Sequence, residues 1–290
     1  MFATINGLQM AFTDEGKGIP LLFLHGFPLN REAWSSQVQA FKARFRVIVP
    51  DLRGFGESES TAGPVPMSRF GEDIWALGQH LGLGPVILVG HSMGGYIALA
   101  IARTRPAWLR GLVLVSTKAG KDSLETANER RQLARQVMVD GPQVATRPMA
   151  ANMLSAANTD EQKAAAVLSC MTPASPEGIS GALYGMALRP AAVDVLGRIR
   201  VPTLVVAGSE DSIIPPSEAG FMARTIPNSK LSIIPGAGHL VAVDQSEAFN
   251  DQLMIWLAWG CNGVHLGSHR PHQPRLSAAP HYPERRRSST

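Results

Sequence analysis

Short runs of Val, Leu and Ile recur along the chain, and segments with helical spacing separate them. The runs are IPLLFLHG (19–26), FRVIVP (45–50), PVILVG (85–90), LRGLVLVS (109–116), VPTLVVAG (201–208) and SKLSIIPG (229–236). Strands that are apolar throughout, instead of alternating with polar residues, are typical of a parallel sheet covered by helices on both faces. The pattern therefore predicts an α/β fold with a mostly parallel sheet wrapped by helices.

The remaining elements of the predicted core fit this architecture. A hairpin with strands near Phe2–Thr4 and Leu8–Asp14 turns at an Asn-Gly pair. Helical spacing is found over residues 31–45, 70–84, 93–106 and 246–259.

The alternation of strands and helices stops at Lys118 and resumes near residue 199. The segment between is rich in Ala, Met and Leu and contains no strand pattern. Thr159 and Gln162 predict a capping box at the start of one of its helices. We therefore expect an α/β core of residues 1–117 and 199–259, interrupted by an all-helical insertion, residues 118–198, which is called the insertion below.

Composition narrows the class of protein. The 290 residues are 45% hydrophobic with a mean hydropathy of +0.02, and no apolar run approaches the roughly 18 residues of a membrane span. The first residues lack the pattern of a secretory signal. The chain has two cysteines, Cys170 and Cys261, which disfavours a disulfide scaffold. These features predict a reduced, cytoplasmic protein without a membrane partner.

The net charge of +4 lies in the C-terminal segment. Residues 260–290 contain five arginines and one glutamate, so the rest of the chain is balanced and no nucleic-acid partner is expected. This segment is rich in Pro, His, Arg and Ser and is predicted to be a disordered tail. His265, His269 and His272 could bind a metal, but no cysteine or carboxylate cluster accompanies them. We therefore predict neither a metal nor a function for the tail.

A G-x-S-x-G sequence, Gly90-His91-Ser92-Met93-Gly94, lies between a predicted strand and a predicted helix. In that context the sequence is typical of a nucleophile elbow, which lifts the serine hydroxyl above the sheet. Gly90 and Gly94 would remove the Cβ atoms that clash in such a tight turn. The alternative is a glycine-rich turn that allows close packing or holds a phosphate.

A serine needs a base and an acid to become a nucleophile. His239 follows the last predicted strand, and Asp211 follows the strand before it, so both are expected at the same sheet edge as Ser92. Taken singly, His239 could be an ordinary surface histidine and Asp211 a turn residue, but the order Ser–Asp–His fits one known arrangement of a triad.

Two other positions could supply the acid. Glu210 is a rival to Asp211, although we expect it to face solvent. The alternative acid position follows the strand ending at Ser116 and offers Thr117 and Lys118, neither of which is acidic.

Acyl transfer also needs donors for a developing oxyanion. The backbone N–H of Met93, directly after the predicted nucleophile, is one candidate. The backbone N–H of Phe27, in the HGFP sequence after the first parallel strand, is the second.

With these residues, the His25-Gly26 turn, DLRGFGES (51–58) and VPTLVVAGSED (201–211), the sequence resembles the α/β-hydrolase superfamily over residues 5–259. It is most similar to the small capped branch of carboxylesterases, lactonases and cofactor-free haloperoxidases. The resemblance implies that the insertion forms a helical cap, or lid, over Ser92. Dehalogenases and epoxide hydrolases of this fold carry aspartate at the position of Ser92, so those activities are not expected.

The expected function is hydrolysis of carboxylic esters with small to medium acyl chains, through a serine nucleophile and an acyl-enzyme intermediate. No cofactor is expected, and the expected partner is a small-molecule ester or lactone substrate. Two alternatives stay open: a lactonase or C–C bond hydrolase of aromatic degradation, and a weakly hydrolytic ligand receptor. Methionines in the insertion could shape an adaptable apolar pocket or fill the core between its helices. They are Met138, Met149, Met153, Met171 and Met186.

Overall fold

The computed structural model describes residues 1–172 and 174–260, and within them eight strands form one sheet. The strands are β1 (Phe2–Ile5), β2 (Leu8–Glu15), β3 (Pro20–Leu24), β4 (Arg46–Pro50), β5 (Val86–His91), β6 (Leu109–Val115), β7 (Thr203–Gly208) and β8 (Ser229–Ile234). Their spatial order is β1-β2-β4-β3-β5-β6-β7-β8. The β1–β2 and β2–β4 pairs are antiparallel and the other pairs are parallel. The predicted fold class is confirmed.

Helices connect and cover these strands. They are α1 (Ser35–Phe41), α2 (Met67–His80), α3 (Met93–Thr104), α4 (Leu124–Asp140), α5 (Gln143–Ala150), α6 (Glu161–Ser169), α7 (Pro176–Leu188), α8 (Val193–Leu196), α9 (Pro216–Thr225), α10 (Val241–Asp244) and α11 (Ser246–Gly260). Helices α4 to α8 lie between β6 and β7, where the described residues contain no strand. This stretch corresponds to the insertion expected from the sequence.

The sheet is buried on both faces because consecutive side chains of a strand point to opposite sides. In β3, Leu21 and Phe23 join a cluster with apolar side chains of α1 and α11. Leu22 and Leu24 join a second cluster, with side chains of α2 and α3. Burial on both sides explains why β3 to β7 are almost entirely apolar, whereas β8, at the edge of the sheet, is largely exposed.

Parallel strands place the residues that follow them at one edge of the sheet. Ser92 comes directly after β5, Asp211 follows β7, and His239 lies in the segment between β8 and α10. The three predicted catalytic residues are therefore carried by connections at the carboxyl edge, where ligands bind in open α/β sheets.

The predicted capping box in the insertion is wrong. Helix α6 begins at Glu161, and Asp160, not Thr159, is its N-cap residue. The Asp160 carboxylate accepts hydrogen bonds from the backbone N–H groups of Gln162 and Lys163, at 2.9 and 3.1 Å. A carboxylate at this position serves two donors and favours the positive end of the helix, so it competes well with a threonine hydroxyl.

The predicted disordered tail, including its three histidines, lies outside the described residues apart from Gly260. No helix in the described part of the chain combines the length and the apolar character needed to span a membrane.

Candidate active site

Ser92 occupies a tight turn between β5 and α3. Its backbone angles are φ 52° and ψ −113°, in a region that residues other than glycine rarely adopt. The turn is fixed by a hydrogen bond of 2.9 Å from Ser92 N to Val115 O, and by one of 2.8 Å from Thr117 Oγ1 to Ser92 O. Neighbouring strand β6 therefore holds the strained backbone in place.

The glycines flanking Ser92 are required by close backbone contacts. A Cβ atom on Gly90 would lie 2.4 Å from Gly94 O, and one on Gly94 would lie 2.4 Å from Leu24 O. No real side chain tolerates such distances to backbone atoms, so the G-x-S-x-G spacing follows from the geometry of this turn.

Ser92, His239 and Asp211 form one hydrogen-bonded chain. His239 Nε2 lies 2.9 Å from Ser92 Oγ, and His239 Nδ1 lies 3.0 and 2.9 Å from the two carboxylate oxygens of Asp211. His239 and Asp211 are buried, and Ser92 is 9% exposed. The structure thus brings together the three side chains that the sequence singled out.

The environment of Asp211 favours its ionised form. Burial raises the pKa of this carboxyl, but the hydrogen bond and charge of His239 and two backbone N–H groups outweigh burial, so the net shift is downward. These N–H groups belong to Ile213 and Ile214, each 2.9 Å from Asp211 Oδ1. An ionised Asp211 accepts a hydrogen bond from the Nδ1–H group of His239, which leaves Nε2 unprotonated and able to accept the Ser92 hydroxyl proton.

The rival acid does not reach the histidine. Glu210 is exposed, as expected, and its carboxylate accepts a hydrogen bond from Ser155 Oγ in the insertion. Thr117, at the alternative acid position, instead supports the backbone of Ser92.

The two residues whose backbone N–H groups are predicted to form an oxyanion site, Phe27 and Met93, lie in the segments next to Ser92 and its cavity. Met93 is the first residue of α3, and Phe27 lines the same cavity as Ser92. Neither N–H donates a hydrogen bond to another described residue. His25 fixes the turn before Phe27, since its Nδ1 lies 2.9 Å from Gly26 O and its Nε2 accepts from Leu52 N at 3.0 Å.

His91 has a role that the sequence did not indicate. Its Nε2 lies 3.0 Å from His239 O, and its Nδ1 is buried with no hydrogen-bond partner among the described residues. Burial, followed by the charge of His239, lowers the pKa of His91 to about 3. The neutral imidazole of His91 therefore donates a hydrogen bond from its Nε2–H group to the backbone carbonyl of His239. The two residues are 148 positions apart, so no local pattern reveals the contact.

Asp244, in α10, is a second residue that the sequence did not reveal. Its fully buried carboxylate accepts hydrogen bonds of 2.7 Å from Gly238 N and from Ser155 N. It also accepts one from the side chain of Asn158. Asp244 thus ties the segment just before His239 to the insertion.

A cavity of about 370 Å³ lies above Ser92. Helices of the insertion supply part of its wall, and half of the residues that line it are apolar. The apolar residues are Phe27, Leu133, Met149, Leu183, Met186, Ile213 and Ile214. The methionines of the insertion divide between the two roles considered for them: Met149 and Met186 line the cavity, whereas Met153 and Met171 pack in a buried cluster and Met138 is exposed.

Among the described residues, no group of three or more His, Cys, Asp or Glu side chains is placed to hold a metal ion. The buried Cys170 thiol lies in the apolar cluster around Met153, where burial raises its pKa to about 11 and keeps it protonated.

The sequence model of the family described as the alpha/beta hydrolase fold matches residues 19–245. The chain belongs to this family. A non-heme chloroperoxidase from Kitasatospora aureofaciens is a relative with 31% identity over 286 residues, covering 88% of this chain and 98% of its own length. The 30 kDa subunit of magnesium chelatase from Rhodobacter capsulatus is 31% identical over 268 residues, which cover 84% of this chain and 89% of that protein.

Solved structures of other α/β-hydrolases share the fold. A thermophilic esterase from Thermogutta terrifontis, in a malate-bound structure, is 39% identical with a TM-score of 0.86, covering 89% of this chain and 97% of that one. An enol-lactonase from Burkholderia xenovorans superposes with a TM-score of 0.82 over 89% of this chain and all of its own, but at 22% identity this likeness concerns the fold alone. The predicted superfamily and branch are thereby confirmed, and the chain is a hydrolase of this family.

Proposed function

We propose that this protein is a serine hydrolase that cleaves carboxylic esters of small to medium acyl chains. The observation that carries the proposal is the hydrogen-bonded chain from Ser92 Oγ through His239 to the Asp211 carboxylate. The 39% identity to a thermophilic esterase over most of both chains supports the same reaction class.

In the proposed mechanism, His239 Nε2 takes the proton from Ser92 Oγ while this oxygen attacks the ester carbonyl. The N–H groups of Met93 and Phe27 stabilise the negative charge on the carbonyl oxygen, and each such donor contributes about 2.7–4 kcal/mol. Protonated His239 then gives its proton to the leaving alcohol. A water molecule, deprotonated by His239, cleaves the acyl-enzyme and releases the acid.

We propose that the insertion acts as the cap of this site. It lines the cavity with Leu133, Met149, Leu183 and Met186, which suits a substrate with a modest apolar part. Lactones present the same carbonyl chemistry, so an assay panel of esters and lactones measures the preference between them.

The proposal is tested by replacing the nucleophile and labelling it. Ser92→Ala should abolish hydrolysis of p-nitrophenyl acetate and prevent labelling by a fluorophosphonate probe, with an unchanged circular dichroism spectrum. Ser36→Ala, at an exposed serine, is the matched control and should retain activity. Substantial activity in Ser92→Ala would refute the assignment.

The proposed acid has a control in the adjacent residue. Asp211→Asn should lower kcat by roughly 10⁴-fold, because an amide no longer holds the required tautomer of His239. Glu210→Gln should leave kcat within a few-fold, since its side chain faces solvent and the insertion. Equal losses in the two variants would contradict the proposed role of Asp211.

A further inference from the structure

One part of the cavity wall is positively charged. Lys118, directly after β6, and Arg130, on α4, both line the cavity that contains Ser92. Each also contacts the buried carboxylate of Asp122: Lys118 Nζ lies 3.3 Å from Oδ1, and Arg130 Nε lies 2.8 Å from Oδ2.

A third cation competes for the same carboxylate. Arg189 Nη2 lies 3.2 Å from Asp122 Oδ1, and its guanidinium stacks 3.9 Å from the ring centre of Tyr96. Burial raises the pKa of Asp122, but Arg130, Arg189 and Lys118 outweigh burial and lower it overall. One negative charge thus faces three positive ones, and the group as a whole keeps two uncompensated positive charges.

Arg130 has hydrogen-bond donors without a partner among the described residues. Arg130 donates through Nε alone, and its two Nη groups form no hydrogen bond with a described residue. Glu129 also lines the cavity, but it is exposed and forms no ion pair with a described residue. A guanidinium with free Nη groups, held in place by Asp122 and facing an apolar cavity, is suited to bind a carboxylate.

We propose that the substrate is an ester that carries a carboxylate, bound by Arg130 and Lys118 while Ser92 attacks the ester carbonyl. This inference rests on the proposed ester hydrolysis at Ser92. Lys118 lies at the start of the insertion, directly after β6, and Arg130 lies on α4, so the carboxylate would bridge the edge of the sheet and the first helix of the insertion. The apolar residues that line the same cavity accommodate the methylene groups that separate the two ends of such a substrate.

The test compares esters that differ by one charge. Monomethyl glutarate and methyl pentanoate place the charged or neutral end on the acyl side, and 4-acetoxybutanoate and butyl acetate place it on the alcohol side. Rates are followed by pH-stat titration. We expect kcat/KM to be at least about tenfold higher for the anionic ester of one pair, the effect of one charge-assisted hydrogen bond. Equal or lower values for the anionic ester in both pairs would overturn the inference.

Variants assign the effect to the two cations. Arg130→Gln and Lys118→Gln should each reduce the anionic-to-neutral ratio of kcat/KM by about tenfold, and Arg130→Lys, which keeps the charge, should reduce it less. Arg135→Gln, at an exposed arginine of the same helix, should leave the ratio unchanged. Glu129→Gln should raise the ratio, because it removes a negative charge from the cavity. A ratio unaffected by Arg130→Gln and Lys118→Gln would contradict the assignment.

Binding separates this inference from the proposed function. Glutarate should bind to Ser92→Ala in isothermal titration calorimetry, and Arg130→Gln introduced into that variant should weaken binding about tenfold. If the wild type hydrolyses no ester yet glutarate binds in this way, the proposed function fails and the carboxylate site stands. If esters are hydrolysed but glutarate does not bind, the carboxylate site fails alone.

Discussion

The buried side chain of His91 affects both the candidate active site and the stability of the fold. Its ring lies beside that of His239, with centroids 4.9 Å apart, and it donates a hydrogen bond to the carbonyl of that residue. In the proposed mechanism His239 carries a proton, so a charged imidazole at this position would place two cations in contact. The low pKa of His91, about 3, therefore keeps the positive charge of the site on one ring.

The same residue should make folding sensitive to acid. The pKa of His91 is lower in the folded chain than its ordinary value of 6.5, so the unfolded chain binds the proton first and stability falls as the pH falls below about 6.5. The free energy of unfolding should decrease by up to about 1.4 kcal/mol per pH unit from this residue alone. His91→Gln, which can still donate to the His239 carbonyl, should flatten this dependence in urea unfolding measured between about pH 7 and pH 5.

Other histidines provide the comparison for this effect. Burial also lowers the pKa of His25, so part of the acid sensitivity should remain in His91→Gln. His80 is exposed, and His80→Gln should show the same slope as the wild type. A slope that His91→Gln leaves unchanged would mean that His91 does not stay neutral in the folded protein.

At the scale of elements, the short helix α10 joins the base-carrying segment to the insertion. The carboxylate of Asp244, in this helix, accepts hydrogen bonds from the backbone N–H groups of Gly238 and Ser155. Both donors are buried and would lose their acceptor in Asp244→Ala. We expect this variant to lose about 2–5 kcal/mol of unfolding free energy, from two or more buried donors without partners. We also expect a lower kcat, because Gly238 directly precedes His239.

The control for this prediction lies on the following helix. Asp251 is exposed on α11, and Asp251→Ala should change the unfolding free energy by no more than about 0.5 kcal/mol. Urea unfolding and ester kinetics on both variants measure the difference. A loss of stability in Asp244→Ala with normal kcat would show that α10 supports the fold without positioning His239.

Elements of the core were predictable from the sequence, whereas contacts across the core were not. Strands β3 to β7 are short apolar runs, and a buried parallel strand leaves that signature without help from its neighbours, whereas the edge strand β8 is largely exposed. Ser92 has a local signature as well, because a Cβ atom on either flanking glycine would clash with backbone atoms, on Gly90 with Gly94 O and on Gly94 with Leu24 O. Asp244 has none, because its contact with Ser155 is set by how the insertion packs on the core. The capping residue of α6 was misassigned because Thr159 and Asp160 are adjacent and both are able to cap.

For the whole molecule, the candidate site depends on helices that bury very different numbers of residues. Helix α3 of the core has nine buried residues, whereas α6 of the insertion has one, Val167. Helix α4 buries two alanines and one valine along its 17 residues, whereas α7 buries eight of its 13 residues. Regions with few buried apolar contacts open at lower free energy than the core. Helices α4 to α6 should therefore open before the sheet unfolds.

Tryptophan fluorescence can separate the two events because all five tryptophans, at positions 34, 75, 108, 256 and 259, lie outside residues 118–198. In a urea titration, ester hydrolysis should be lost at a lower concentration than the change in tryptophan fluorescence. Tyr184→Trp would add a fluorescent reporter on α7, which packs against α4. Its fluorescence should change at the same urea concentration at which activity is lost. Activity that returns when substrate is raised at the same urea concentration would point to simple inhibition by urea. Superimposed curves for hydrolysis and both sets of tryptophans would contradict this prediction. They would mean that the insertion and the sheet unfold as one cooperative unit, so that the part of the cavity wall with Lys118 and Arg130 is as stable as the core.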